Sequence, residues 1–119
     1  MPENEPLCPT VTREIAEQRK NLAPQTAEAF KAFSQSVFAD GALPAKTKQL
    51  IALAVAHVTQ CPYCIRGHTQ LAMRHGATSP EIMEAIWVAA EMRAGAAYAH
   101  SALALDTIAN AQDEKPMHA

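Results

Sequence analysis

The sequence has little positive charge, few aromatic residues and few cysteines, and each shortage argues against a class of function. Lys and Arg number 10 against 12 Asp and Glu, which gives a net charge of -2. Phosphate binding needs a concentrated basic surface, so we expect no nucleic-acid partner. Only 5% of the residues are aromatic, which leaves few side chains for stacking on bases. Three cysteines are also too few for a disulfide scaffold.

Long hydrophobic runs are absent as well. The longest stretch without charge extends from Gln49 to Ile65 and contains His57, Gln60 and Pro62. It is too short and too polar to span a bilayer. The acidic N-terminus lacks the apolar segment of a secretion signal. We therefore expect no membrane partner and a cytoplasmic location.

The composition favours one small all-α domain. Alanine, the best helix former, accounts for 25 of the 119 residues. No stretch alternates apolar and polar residues as a half-buried strand does. We predict an extended, proline-rich N-terminal arm over residues 1–9, a single helical domain over residues 10–111, and a flexible polar tail over residues 112–119.

Capping and breaking residues divide the domain into about six helices. Thr10 and Ser79 are candidate N-caps, and Pro24 suits a first helical turn. Gly76 is a typical helix stop, and Gly95 predicts a kink or break. The expected helices span residues 10–20, 24–39, 45–59, 63–75, 81–92 and 96–111. The third helix is apolar on nearly every side, which predicts burial, and a protomer of this size favours an oligomer.

The chemistry is concentrated in Cys61-Pro62-Tyr63-Cys64 and the following His68. Thiols at i and i+3 of a helix lie on one face within disulfide reach. Cys61 falls near the N-cap, where the helix dipole favours a thiolate. His68 is four residues after Cys64, so its imidazole can reach that sulfur and activate it. The segment thus contains a nucleophile, a resolving thiol and a base.

Other interpretations of this segment are open. Both cysteines can be small buried hydrophobic residues. His57, Cys61, Cys64 and His68 together have the composition of a zinc site, although structural zinc ligands usually come from two separated segments. Cys-Pro-Tyr-Cys also matches glutaredoxins, but that fold needs a strand before the motif, and the residues before Cys61 read as a helix.

The motif and its surroundings resemble a known family. Leu50-Ile-Ala-Leu-Ala-Val-Ala-His57 is followed by Cys61-x-x-Cys64-x-x-x-His68 and by His75-Gly-Ala-Thr-x-x-Glu-Ile82. This pattern resembles the alkylhydroperoxidase D-like branch of the carboxymuconolactone decarboxylase family over about residues 42–105. The resemblance implies an all-helical bundle that assembles as a homotrimer or as a hexamer, a trimer of dimers. It also implies thiol-dependent peroxidase or disulfide-reductase activity without haem or flavin.

The same resemblance implies roles for the site residues. Cys64 would attack the peroxide, Cys61 would resolve the sulfenic acid to a disulfide, and His68 would belong to the proton relay. Two positions depart from the family pattern. Gln49 stands where the family often has a Glu, and Tyr63 stands where some members have a His. Because Gln cannot take up a proton, we expect the relay to be absent or rebuilt.

His57 is the candidate replacement base, as it lies two turns after Gln49 and four residues before Cys61. The alternative interpretation is a core histidine bonded to a backbone carbonyl. The other histidines and acids give weaker signals.

The leading hypothesis is therefore an antioxidant thiol oxidoreductase with a Cys61–Cys64 dithiol cycle. Its partners would be a hydroperoxide or disulfide substrate and a protein or small-thiol reductant. No glycine-rich nucleotide loop is present, so no cofactor is expected, and neither is a metal. The alternatives are a decarboxylase-like lyase and an inert helical binding or stress-response module.

Overall fold

The computed structural model describes residues 7–113, and within that range the chain is entirely helical. Residues 1–6 of the expected arm and residues 114–119 of the expected tail lie outside the described residues. The five helices are α1 (Arg13–Leu22), α2 (Pro24–Phe38), α3 (Ala45–Thr59), α4 (Pro62–Arg74) and α5 (Ser79–Asp113). The all-α prediction is confirmed. In the part of the chain that the structure describes, no helix is long and apolar enough to cross a membrane.

The prediction of a sixth helix was wrong, because Gly95 does not interrupt α5. Gly76 is the glycine with a positive φ among the described residues, so Gly95 remains within the helical ladder. An interior glycine costs a helix only about 1 kcal/mol relative to alanine. The neighbouring Ala94, Ala96 and Ala97 are the best helix formers and outweigh that cost. The helix also continues through Asp113, beyond the predicted start of the tail at residue 112.

Two predicted N-caps are shifted by one or two residues. Thr12, rather than Thr10, caps α1, and its side-chain oxygen accepts a hydrogen bond from the backbone N–H of Ile15. At α5 the cap is Thr78 rather than Ser79. The Thr78 hydroxyl accepts from the N–H of Glu81, and the Glu81 carboxylate accepts from the N–H of Thr78. This reciprocal capping box satisfies two backbone donors, which Ser79 could not do from one position later.

The turn after α4 has the predicted glycine stop. Gly76 has a φ of 87°, in the left-handed region that glycine adopts without strain. Its N–H donates to the carbonyl of Met73, and the N–H of Ala77 donates to the carbonyl of Ala72. These two bonds form a Schellman motif, which satisfies the last carbonyls of the helix.

Helix α3 lies at the centre of the fold and packs against both α4 and α5. Helix α2 contacts α3 less extensively, and α1 packs against α2. Leu53 is fully buried, and small side chains make up most of the remaining core. The core residues are Ala45, Leu53, Ala56, Ala72, Ala77 and Ala89. The expectation that α3 is buried on all sides was wrong for the single chain. Ile51, Val55 and Val58 remain about half exposed.

Candidate active site

The two cysteines of the motif lie together at the start of α4. Cys61 is the N-cap residue, and its sulfur accepts a hydrogen bond from the backbone N–H of Cys64 at 3.3 Å. Pro62 occupies the first helical position, where a missing N–H costs little. The Sγ atoms of Cys61 and Cys64 lie 2.7 Å apart and share a hydrogen bond, and both thiols are free. The i, i+3 spacing therefore brings the sulfurs together as predicted.

The environment shifts the two thiols in opposite directions. The hydrogen bond from the Cys64 thiol lowers the pKa of Cys61, and the backbone N–H of Cys64 lowers it further. Donating that bond raises the pKa of Cys64, and burial adds to the increase. Cys61 is thus the sulfur that ionises first, as its position at the helix N-terminus suggests.

His68 is held by a buried amide and an aromatic ring. Its Nδ1 lies 2.7 Å from Oε1 of Gln49, and Gln49 is only 2% exposed. Because an amide oxygen can only accept, Nδ1 carries the proton and donates it, which leaves Nε2 as the basic nitrogen. The Phe38 ring packs on the imidazole, with a centroid distance of 5.2 Å. Gln49 therefore orients His68, although it cannot exchange a proton itself.

Cys64 and His68 line one cavity of about 400 Å³ beside α3. That volume falls within the range of small-molecule sites. The other lining residues are mostly apolar and come from α2 and α3: Val37, Phe38, Lys48, Ile51, Ala52, Val55, Ala56 and Thr59. Cys61 does not line this cavity. The sulfur that the resemblance implies as the attacker thus lies at the cavity, whereas the more readily ionised sulfur is not part of the lining.

Two expectations about the histidines need correction. No hydrogen bond joins His68 to Cys64 among residues 7–113; the imidazole bonds to Gln49 through Nδ1 instead. His57 does not reach the thiols. Its Nδ1 donates to the carbonyl of Leu53 at 2.8 Å, and it lines a separate cavity beside α5 with Arg93. The eight residues from Gln49 to His57 rotate the side chain by about 80° around α3, which turns it towards a different neighbour. The geometry matches the core-histidine interpretation.

The zinc alternative finds no support in this arrangement. Among the described residues, no three His, Cys, Asp or Glu side chains are grouped so that they could hold a metal ion. Tyr63, between the two cysteines, lies against the N-terminal segment, where its hydroxyl donates to the carbonyl of Pro9 at 2.8 Å.

Sequence reasoning missed Lys48 and Phe38, which help to enclose the cavity. Lys48 shares one face of α3 with Ala52, Val55 and Thr59, at i, i+4, i+7 and i+11, and this spacing was available in the sequence. Phe38 could not be found in this way, because its position depends on how α2 folds back onto α3 and α4.

Comparisons with known proteins agree with this architecture. Residues 24–107 match the model of the carboxymuconolactone decarboxylase family. The protein named uncharacterized protein 4 in cox locus, from Paracoccus denitrificans, is 72% identical over 78 residues, which is 66% of this chain and 70% of that protein.

Solved structures give the same result. A carboxymuconolactone decarboxylase family protein from Legionella pneumophila has a TM-score of 0.63 and 36% identity, and the match covers 69% of this chain and 76% of that one. A family protein from Thermotoga maritima with a suggested part in antioxidative response has a TM-score of 0.52 and 25% identity over 70% of this chain and 95% of that one. With a helical core matched over most of its length, this chain belongs to the carboxymuconolactone decarboxylase family.

Proposed function

We propose that the protein is a thiol-dependent hydroperoxidase of the alkylhydroperoxidase D-like branch, acting in a reducing cytosol through a Cys61–Cys64 dithiol cycle. The observation that carries the proposal is the 2.7 Å approach of the two free sulfurs at the N-terminus of α4. The cavity that Cys64 shares with His68 supplies a place for the peroxide. The antioxidative part suggested for the Thermotoga relative is consistent with the proposal.

In the proposed cycle, Cys64 first passes its proton to the Cys61 thiolate along their existing hydrogen bond. The Cys64 thiolate then attacks a peroxide oxygen, so that an S–O bond forms as the O–O bond breaks. The products are a sulfenic acid on Cys64 and an alkoxide. Nε2 of His68 takes up a proton from solvent and passes it to the alkoxide, which leaves as an alcohol. Cys61 attacks the sulfenic sulfur, a disulfide forms and water leaves. An external dithiol or protein thiol restores both cysteines.

Kinetics of cysteine variants test this cycle. With dithiothreitol as the reductant, the wild-type protein should consume cumene hydroperoxide, and Cys64→Ser should abolish turnover. In the absence of dithiothreitol, Cys61→Ser should stop after one peroxide per chain, with a sulfenic acid on Cys64. Cys8→Ser is the matched control and should retain wild-type turnover, because Cys8 precedes α1 and lies outside the cavity. Unchanged turnover in Cys64→Ser would refute the proposal.

Disulfide reduction is a second candidate function, and the lowered pKa of Cys61 favours it. A thiolate at a helix N-terminus attacks a substrate disulfide directly, and the second thiol then releases the substrate. In that case Cys61→Ser, rather than Cys64→Ser, should block the first step. Trapping the mixed disulfide with a small aromatic disulfide on each variant distinguishes the two orders of attack.

We also propose that the protein works as a homo-oligomer, a trimer or a hexamer, as its resemblance to the family implies. The radius of gyration of the chain is 21.4 Å, whereas a compact chain of 100 residues has about 13 Å. Large apolar side chains on several helices remain exposed, among them Phe30, Phe33, Trp87 and Leu103. Association of copies would cover these faces.

A further inference from the structure

The cavity beside Cys64 contains one positively charged group. Its lining is apolar apart from Lys48, Thr59, Cys64 and His68, and no Asp or Glu contributes to it. A neutral alkyl hydroperoxide would need no cation there. The positive charge in the lining can therefore distinguish anionic from neutral hydroperoxides, although both offer the same O–O bond to the thiolate.

The ammonium of Lys48 is held in place but is not neutralised. Its Nζ donates to the carbonyl of Ala39 at 2.6 Å, in the connection between α2 and α3. Of the ion pairs within residues 7–113, one joins Arg13 to Glu17 and the other joins Lys46 to Glu81, so Lys48 takes part in neither. An ammonium has three donors, and two of them remain for an anionic ligand.

The helices place Lys48 and the reactive sulfur at different points along the cavity. Helix α4 runs antiparallel to α3, since its N-terminus follows the end of α3 and His68 reaches back to Gln49. Lys48 adjoins Gln49 in the chain, and Cys64 lies four residues of α4 before His68, which is about 6 Å along the axis. Ile51, Ala52 and Val55 provide an apolar surface beside this path. A bound molecule can therefore contact the ammonium and the sulfur together if an apolar chain separates its two polar groups.

We propose that the cavity binds amphipathic acid hydroperoxides, in which Lys48 pairs with the carboxylate and the alkyl chain presents the peroxide to Cys64. This inference rests on the proposed function and names its substrate class. The step itself is the one given above: the O–O bond breaks, the Cys61–Cys64 dithiol is oxidised, and the hydroperoxy acid leaves as a hydroxy acid with one water. Lys48 is a specificity residue and takes no part in the electron transfer.

The first test compares linoleic acid hydroperoxide with its methyl ester, with dithiothreitol as the reductant. In wild type the acid should have a KM about tenfold or more below that of the ester, since a hydrogen bond to a charged group is lost in the ester. Lys48→Met should raise the KM of the acid relative to that of the ester, so that the acid-to-ester preference falls to near one. Lys48→Arg should retain most of the preference.

The control variant is Lys31→Met, which removes the same charge from α2, at a residue that lines a different cavity. It should leave the acid preference unchanged. If Lys48→Met raises the KM of the acid and of the ester by the same factor, Lys48 is only a structural contact with the end of α2, and the inference is overturned. A wild-type protein with no preference for the acid would also overturn it.

A binding measurement separates this inference from the proposed function. Calorimetric titration of the Cys64→Ser variant with decanoate and with decanol requires no turnover. If decanoate binds to Cys64→Ser but not to the double variant Cys64→Ser, Lys48→Met, the result supports the acid site even if no peroxide is consumed. Equal binding of the acid and the alcohol, or no binding of either, overturns the acid site even if peroxidase activity is found.

Discussion

At the residue scale, local spacing determines the pair of sulfurs, and tertiary packing determines what surrounds them. Cys61 and Cys64 meet because residues three apart on a helix share a face, which the sequence alone predicts. Helical spacing shows which residues of α3 share a face with His57 or Lys48, but it does not show which neighbouring helix each face meets. Both belong to α3, and which of its faces meets α4 or α5 depends on contacts distant in sequence.

The ionisation of Cys61 should depend on its neighbouring thiol. Its pKa is lowered chiefly by the hydrogen bond from Cys64, so Cys64→Ala should raise the Cys61 pKa. Cys64→Ser keeps an O–H donor at the same place and should raise it less. The rate of iodoacetamide alkylation of Cys61 against pH, in a Cys8→Ser background, gives the Cys61 pKa in each variant. A Cys61 pKa that is the same in both variants as in the protein with Cys64 would show that the helix terminus alone sets it.

Gln49 should act by orienting His68. In Gln49→Glu, the introduced carboxylate near Nδ1 favours the doubly protonated imidazolium, so any limb of the pH–rate profile set by His68 should move up by about one pH unit or more. Gln49→Ala removes the orienting bond without adding charge, so turnover should fall about tenfold or more with no such movement. Steady-state rates across pH compare the two. An unshifted profile in Gln49→Glu would remove His68 from the proton relay.

At the element scale, the sequence predicted the existence of helices better than their ends. The starts of α2 and α3 and the glycine stop after α4 follow from local residue chemistry, and the structure has them as predicted. Thr12 and Thr78 replaced the expected caps because two Ser or Thr residues stand at each helix start, and propensity alone cannot rank them. The unbroken α5 shows that one glycine does not end a helix when most of its neighbours are alanines.

The two glycines at these helices should respond oppositely to alanine. Gly95→Ala should stabilise the fold by about 0.5–1 kcal/mol, since an interior glycine costs backbone entropy. The added Cβ would meet only the end of the flexible Glu91 side chain, at 3.3 Å.

Gly76→Ala should destabilise the fold by about 1–2 kcal/mol, since its φ of 87° is unfavourable for a residue with a Cβ. Urea denaturation of the three proteins at one concentration measures both changes. Destabilisation by Gly95→Ala would indicate that α5 is bent or broken at that residue.

At the scale of the whole molecule, the chain is too extended to bury its apolar surface alone. Its principal dimensions are 63 × 39 × 36 Å, and the 35-residue α5 alone is about 52 Å long. From Ala96 to Asp113, every residue of α5 is exposed. The sequence predicted the helical class and the excess of apolar faces. It could not show which faces remain exposed, because that depends on how the helices pack against one another.

Sedimentation velocity at micromolar concentration should therefore show a species of three or six chains. Leu103→Glu places a charge on an exposed apolar position of α5 and should weaken the assembly, whereas Asn110→Glu, on the same helix, is the matched control and should not. A monomer in the wild-type protein would contradict the proposed assembly.

The most direct test of the central claim is thiol counting combined with peptide mapping after one equivalent of cumene hydroperoxide. The account predicts the loss of two of the three thiols, a peptide in which Cys61 is joined to Cys64, and full recovery with dithiothreitol. Three thiols that remain free after exposure to the peroxide, or oxidation of Cys8 in place of the pair, would contradict it.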